Sequence, residues 1–396
     1  MTPTRTAVAT SLHARTRWVD TEADPFHALG SDGAAWWRDG AGFATAGVAA
    51  RVGVDEVASF LARITVDDEV GAPGTGAIAV GALPFATDGT SDWTVPARVT
   101  GRTADGRTWI TTIGAVPHLA PVVHSDPSEV RVRRVQDRVT WTAMVRRALA
   151  AIEAGTVEKV VLAREVTVEA DAPFDRSALL TRLRVTEPGC FVFACGPLVG
   201  ASPELLVRRR GASVCARPMA GTVPAADAAA LAQLARSPKL THEHRLVIDA
   251  IARVLAEACD APPAVDGPRP EPIGELAHLV TEIHGTLPDA TAGPSALDLA
   301  RRLHPTPAVG GTPTAAALRL IEALEPAGRG LYAGAVGWVD AAGDGELAVT
   351  LRSAQVHGAT ARLHAGAGIV AGSDPDDEWA ETEVKLLPML RALVRP

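Results

Sequence analysis

The chain has 396 residues, 47% of them hydrophobic, with a formal net charge of −8 and a pI near 5.8, enough apolar material for one large or two ordinary cores. Apart from the short "RVRR" at 131–134, no Lys/Arg-rich block rises above this mildly acidic background, which argues against nucleic acid or an anionic membrane as a partner. The N-terminal "MTPTRTAVATSLHARTRW" lacks the apolar core of a signal peptide, no run approaches a membrane span, and the cysteines at 190, 195, 215 and 259 show no CxxC spacing, so reduced thiols and a cytoplasmic protein are expected.

In chain order, the first 120 residues alternate short β-like runs ("AAWWRDG", "GAIAVGALPFA", "TWITTIG") with Gly/Asp turns and one helical stretch near 54–64. A loop is expected at "HSDPSE" (124–129), then an amphipathic helix "TWTAMVRRALAAIEAG" stopped by Gly155. "VEKVVLAREVTVEA" (157–170) reads as a strand apolar on both faces, hence central. "CFVFAC", "ELLVRRR" and "ASVCARPMAGT" follow as strands. The middle reads as helical, with helices at 243–259, "PSALDLARRL" and "PTAAALRLIEAL". The end returns to β with "GLYAGAVGWVD", "GELAVTLRSAQV" and "ATARLHAGAGIV". A last helix begins with Asp374 as N-cap and Pro375 at its first position, and Pro388 should end or kink it. This order suggests α+β with large, mostly antiparallel sheets. "GAGIVAG" has neither GxGxxG spacing nor a phosphate-loop Lys-Ser/Thr.

Among 38 basic residues only Lys159, Lys239 and Lys385 are lysine. Where arginine has replaced lysine almost everywhere, a surviving lysine suggests a task arginine cannot perform, such as giving up its proton. Lys159 shares a strand face with Val161 and Ala163; it is either a strand-end side chain reaching for water or a desolvated base. Glu204, between Pro203 and a strand, either solvates a turn or does chemistry. Glu243 sits at the N-terminal end of the apolar face formed by Val247, Ala250, Ile251 and Val254, either as a cap or as a buried acid needing a cation. On the last helix Glu378, Glu381 and Lys385 share a stripe opposite Trp379, Leu386 and Leu390, which by itself reads as a solvated ion-pair face. "HEH" at 242–244 is no zinc motif, because HExxH would need histidine where Leu246 stands. Glutamates without a His/Cys cluster favour a hard ion such as Mg²⁺.

Nine strings occur in order: "EKVVLAR" (158–164), "GASPELLVRR" (200–209), "RPMAGT" (217–222), "KLTHEHRLVIDAI" (239–251), "HLVTEIHGTL" (278–287), "LHPTPAVGG" (303–311), "LRSAQV" (351–356), "HAGAGIV" (364–370) and "DEWAETEVKL" (377–386). Together they resemble the chorismate-utilising enzymes, namely the anthranilate, aminodeoxychorismate, isochorismate and salicylate synthases. The resemblance is dense over about 130–392 and looser at "GALPFA" (81–86). It implies a two-sheet, mostly antiparallel α/β sandwich, with 1–125 a β-rich part of the same fold as the catalytic region 126–396. The isochorismate branch fits best, because "HPTPAVGG" is similar to its signature and Lys159 falls where isochorismate and salicylate synthases have a general-base lysine.

By this resemblance Glu204 is the general acid, and Glu243 and Glu381 bind Mg²⁺ with Glu378 assisting. Arg352, Lys385, Gly366, Ala367, Gly368, Gly221 and Thr222 hold the substrate carboxylates, His278 lies near the ring, and Ala308 and Val309 line the site there. The implied reaction is addition of water at C2 of chorismate with loss of the C4 hydroxyl and an allylic shift. It needs a base, an acid and neutralisation of the ring carboxylate. The rival readings are a salicylate synthase, which also eliminates pyruvate, and a catalytically silent chorismate-binding protein. A monomer without a glutaminase subunit is expected; Lys239 is left without a role, and the product's destination (siderophore, menaquinone or salicylate) stays open.

Overall fold

The computed structural model describes residues 12–115, 127–325 and 327–394. Among the described strands every pairing but one is antiparallel; the exception joins His13–Val19 to Thr65–Asp68. Two broad sheets can be traced. One runs from Lys159–Ala170 through Thr360–Val370, Ser353–His357, Leu198–Ser202 and Phe191–Cys195 to Ala35–Arg38 and Ala41–Gly53. The other runs from Ile78–Leu83 through Ala335–Asp340, Gly345–Val349, Leu205–Arg210 and Ser213–Arg217 to Leu276–Thr286 and Ala264–Ile273. The long Asp92–Arg102 strand joins them, pairing with Ala41–Gly53 and bridging Ile78–Leu83 at Thr94 and Val80. This is the expected α+β architecture of mostly antiparallel sheets.

The Lys159–Ala170 strand is central, as its two-faced apolar pattern predicts. It pairs along one edge with Thr360–Val370 and along the other with Val130–Arg134 and, at its start, Gly311–Thr312. Val160, Leu162, Val166 and Val168 are all buried. Helices Pro238–Ala256, Ala296–Leu303 and Thr314–Leu324 bury Val247, Ile251, Leu299, Leu303, Ala317 and Ile321 in the same core as Val160, Leu162, Val207 and Leu347. Each large side chain so buried contributes about 1.5–3 kcal/mol of hydrophobic stabilisation.

Several boundaries differ from the sequence reading. The middle is not wholly helical: Ala264–Ile273 and Leu276–Thr286 form a long hairpin. The first of these carries Pro268, Pro270 and Pro272 and pairs on one side only, so prolines that cannot donate are accommodated at an edge. "ASVCARPMAGT" is two strands broken at Pro218, and "GELAVTLRSAQV" is two strands broken at Thr350–Arg352, where Arg352 has φ +46°. The last helix does begin at Pro375, with Asp374 accepting from the Asp376 and Asp377 amides. It does not end at Pro388 but continues to Val394, because Leu386, Met389, Ala392 and Leu393 are buried against one face. Of the loop expected at 124–129, residues 124–126 lie outside the described residues, and 127–129 are in neither helix nor strand. No described helix is long and apolar enough to cross a membrane, and the four cysteines carry free thiols.

Candidate active site

The Lys159–Ala170 strand places Lys159 and Val161 on one cavity wall, facing Gly366 and Gly368 of the partner strand in the register Val161 to Gly368 and Ala163 to Gly366. Lys159 is 1% exposed and does not reach water. Its Nζ lies 2.8 Å from Glu243 Oε1, at the first turns of the Pro238–Ala256 helix. Burial pushes the Glu243 carboxyl up, but the charge and hydrogen bond of Lys159 outweigh it and hold the group below the usual range. Gly368 makes this approach possible: a Cβ there would stand 2.2 Å from Glu243 Oε1.

Glu204 follows the Leu198–Ser202 strand on the far wall. Its main chain is fixed by the Val349 amide donating to its carbonyl and by its own amide donating to Ser202 Oγ. The side chain is 4% exposed. Burial pushes its carboxyl up to about 8, against the opposing pull of Lys159 and Lys385. It is therefore protonated at neutral pH and able to donate. The turn-solvating alternative is excluded, since the group is not solvated.

At the third wall Arg352 donates through Nη2 to His278 Nε2 at 2.5 Å, while His278 Nδ1 lies 2.7 Å from Gly221 O. These partners assign the proton to Nδ1. Burial, reinforced by Arg352, lowers the His278 pKa to about 3, so the ring is neutral. The positive φ of Arg352 breaks the strand and turns its guanidinium inward. Thr222 lines the cavity beside Gly221. Lys385 spans 3.0 Å to Gly366 O and 2.5 Å to Glu381 Oε1; Glu381 is also on the wall, as are Ala308 and Val309.

Two expected residues are not on the wall. Ala367 alternates away: its methyl is fully buried in the core. Since the Val161 and Ala163 amides bond outward to Gly310 and Glu325, Leu162 is left to hydrogen-bond Ala367 within the sheet. Glu378 lies behind the wall, 3% exposed, held by Lys239 Nζ at 2.9 Å. The last-helix stripe is thus no solvated face.

Sequence reading missed several wall residues. Tyr332 stacks on His364 with centroids 5.2 Å apart. Arg329, paired to Glu325, donates to Val309 O at 2.8 Å and Val161 O at 2.7 Å, tying two walls together. Tyr332 had a signal, being the one tyrosine of the chain; Arg329, among so many arginines, had none.

The three acids suit a divalent cation by donor chemistry: all are carboxylates, and Mg²⁺ takes one or two of these together with water. Burial first, and Glu381 second, push the Glu378 carboxyl up, a repulsion that a cation would relieve. Among the described residues no three acids, histidines or cysteines converge on one point. Each acid is neutralised by its own lysine: Glu243 by Lys159, Glu378 by Lys239 and Glu381 by Lys385.

The cavity thus joins a protonated carboxyl, a buried amine and the anion-binding groups Arg352 and Lys385, as chemistry on a small polyanion requires. Comparison with known proteins agrees. Residues 107–394 match the family described as chorismate binding enzyme. The chain is 42% identical over 338 residues to a putative isochorismate synthase MenF of Mycobacterium tuberculosis, covering 81% of this chain and 87% of that one. It is 40% identical over 271 residues to the isochorismate synthase EntC of Escherichia coli, covering 66% and 68%. The crystal structure of a putative 2,3-dihydroxybenzoate-specific isochorismate synthase, DhbC from Bacillus anthracis, superposes with a TM-score of 0.80 at 31% identity over 94% of this chain and 99% of that one. By its fold, its matched residues and its relatives, this chain belongs to the chorismate-binding enzymes.

Proposed function

We propose that the protein is an isochorismate synthase, adding water at C2 of chorismate as the C4 hydroxyl departs. The observation that carries this reading is Glu204, a buried carboxyl with its pKa raised to about 8, sharing one cavity with the buried amine of Lys159. A general acid must hold its proton at working pH, and a second group must take one. In this reading Lys159 acts in its deprotonated form, accepting a proton from the attacking water while Glu204 gives one to the departing hydroxyl, so the step itself changes no net charge. Arg352 and Lys385 bind the carboxylates, with neutral His278 orienting Arg352. The reading includes Mg²⁺ held by Glu243 and Glu381 with Glu378 assisting; when bound, the ion neutralises the ring carboxylate. Small Ala308 leaves space beside the ring for the water. The names of the relatives above support the same reading, which also includes a monomeric cytoplasmic enzyme acting without a glutaminase subunit. Incubation with chorismate and Mg²⁺, with products resolved by chromatography, tests it. Isochorismate that retains its enolpyruvyl group is expected. Salicylate and pyruvate forming at the initial rate of chorismate loss would move the assignment to a salicylate synthase, and no turnover would leave a binding protein.

A further inference from the structure

Arg352 is held at both of its terminal nitrogens. Nη2 donates to His278, while Nη1 lies 3.5 Å from Glu187 Oε2 and 3.9 Å from Cys190 Sγ. Glu187 and Cys190 are 4% and 2% exposed, and neither lines the catalytic cavity, so neither touches a ligand there. Both belong to the turn that follows helix Arg176–Thr186. The Glu187 amide donates to Leu183 O at 2.9 Å, and the Cys190 amide donates to Glu187 O at 3.2 Å, closing the turn at Gly189, where φ is +79°. Gly274, at φ +63° between the two strands of the Ala264–Thr286 hairpin, packs onto the carboxylate: a Cβ there would stand 3.2 Å from Glu187 Oε2.

A buried acid is costly without a counter-charge. Burial pushes the Glu187 carboxyl up, and Arg352, its one ion-pair partner among the described residues, draws it back. Glu243 and Glu381 share the cavity wall with their lysines; Glu187 stays off the wall. Its contact matters for geometry. A planar guanidinium held at one nitrogen pivots about that contact, whereas one held at both terminal nitrogens has its plane fixed. Cys190 alone would not fix it, because sulfur is a weak acceptor. These contacts engage Nη1 and one hydrogen of Nη2, which leaves Nε and the other Nη2 hydrogen for a ligand carboxylate.

We propose that Glu187 is a positioning residue: its carboxylate fixes the plane of the Arg352 guanidinium and so sets the affinity of the cavity for the substrate carboxylate. The proposal rests on Arg352 binding a carboxylate of chorismate, as in the reading above. The sign of the effect is diagnostic. As a bare charge Glu187 would repel a polyanion, and its removal would tighten binding. As a bracket it aims the arginine, and its removal weakens binding. The bracket dominates because Arg352 stands between the carboxylate and the cavity and screens its charge. A guanidinium already in place loses less freedom when the ligand arrives, so the effect falls on binding more than on the chemical step.

Glu187→Gln keeps the size of the side chain and removes its charge. Steady-state kinetics with chorismate and Mg²⁺ should show KM raised about tenfold and kcat within about twofold of wild type. Glu187→Asp, which keeps the charge on a shorter arm, should recover part of the loss. Arg352→Lys should itself raise KM, because an ammonium cannot form the planar fork, and adding Glu187→Gln to it should raise KM little further. Three results would each overturn the proposal: KM unchanged or lowered in Glu187→Gln; kcat falling while KM holds; or the full effect of Glu187→Gln persisting in the Arg352→Lys background, which would mean that Glu187 acts through the fold and not through Arg352. If Arg352→Lys alone leaves KM unchanged, Arg352 holds no carboxylate, and the clamp in the functional reading fails together with the proposal.

Discussion

Lys159 and Glu243 meet at 2.8 Å inside the catalytic cavity, one from a central strand and the other from a helix start. The other two lysines repeat the arrangement with Glu378 and Glu381. In a chain that has put arginine nearly everywhere else, every lysine is spent on one acid of this region.

If Lys159 is the base, charge alone cannot replace it. Lys159→Arg keeps a cation beside Glu243 but does not release a proton near neutral pH. It should be almost as inactive as Lys159→Ala, with a rate loss of about 10²–10⁴. Chorismate binding should survive in both, through Arg352 and Lys385. Near-wild-type turnover in Lys159→Arg would assign the residue a purely electrostatic role.

Glu204 gives a pH signature. Its carboxyl titrates near 8, so kcat/KM should fall as pH rises through about 8, where the acid loses its proton. The native state holds that proton over a range in which the unfolded chain, titrating near 4.5, has released it. This group's contribution to stability is therefore present below the unfolded value and lost as pH rises toward 8. Glu204→Gln removes the dependence. Its Tm relative to wild type should be more favourable at about pH 8 than at about pH 5, while its turnover is lost. A constant difference in Tm across that range would contradict the assignment.

The metal reading rests on acids that lysines now neutralise. Mg²⁺ should raise the wild-type Tm by mass action and should do so much less for Glu381→Gln, whose activity should fall by orders of magnitude in a folded protein. Full activity after exhaustive chelation would remove the metal from the account.

Gly368 should tolerate no side chain. The Cβ of Gly368→Ala would stand 2.2 Å from Glu243 Oε1. The overpacking should cost about 1–3 kcal/mol of stability, and turnover should fall further than that destabilisation explains, because Glu243 and Lys159 are displaced together. Denaturant unfolding beside steady-state kinetics separates the two effects.

Much of this was legible in the sequence, for identifiable reasons. Lys159, Glu204, Glu243 and Lys385 could be singled out because rare or costly residue types stood beside apolar runs, and the ordered strings gave them their roles. Burial could not be read the same way. Glu378 occupies a helix stripe that local periodicity assigns to solvent; its burial comes from Lys239 and from the packing of a distant helix. Ala367 sits inside a glycine-rich string whose alternate residues face opposite sides of the sheet, so only its neighbours reach the cavity. Arg329 belongs to a residue type that is mostly exposed, and nothing local distinguishes it from the others. The Ala264–Thr286 hairpin was hidden because proline-rich sequence argues against a strand unless the strand is known to lie at an edge.

The most direct test of the central claim is turnover in ¹⁸O-labelled water, with the product examined by mass spectrometry. If water is the nucleophile, isochorismate should carry one labelled oxygen at its C2 hydroxyl, and the oxygen lost from C4 should appear in solvent. Isochorismate formed without label would mean that the hydroxyl never left as water. Lys159 and Glu204 would then not be the base and acid of a hydration.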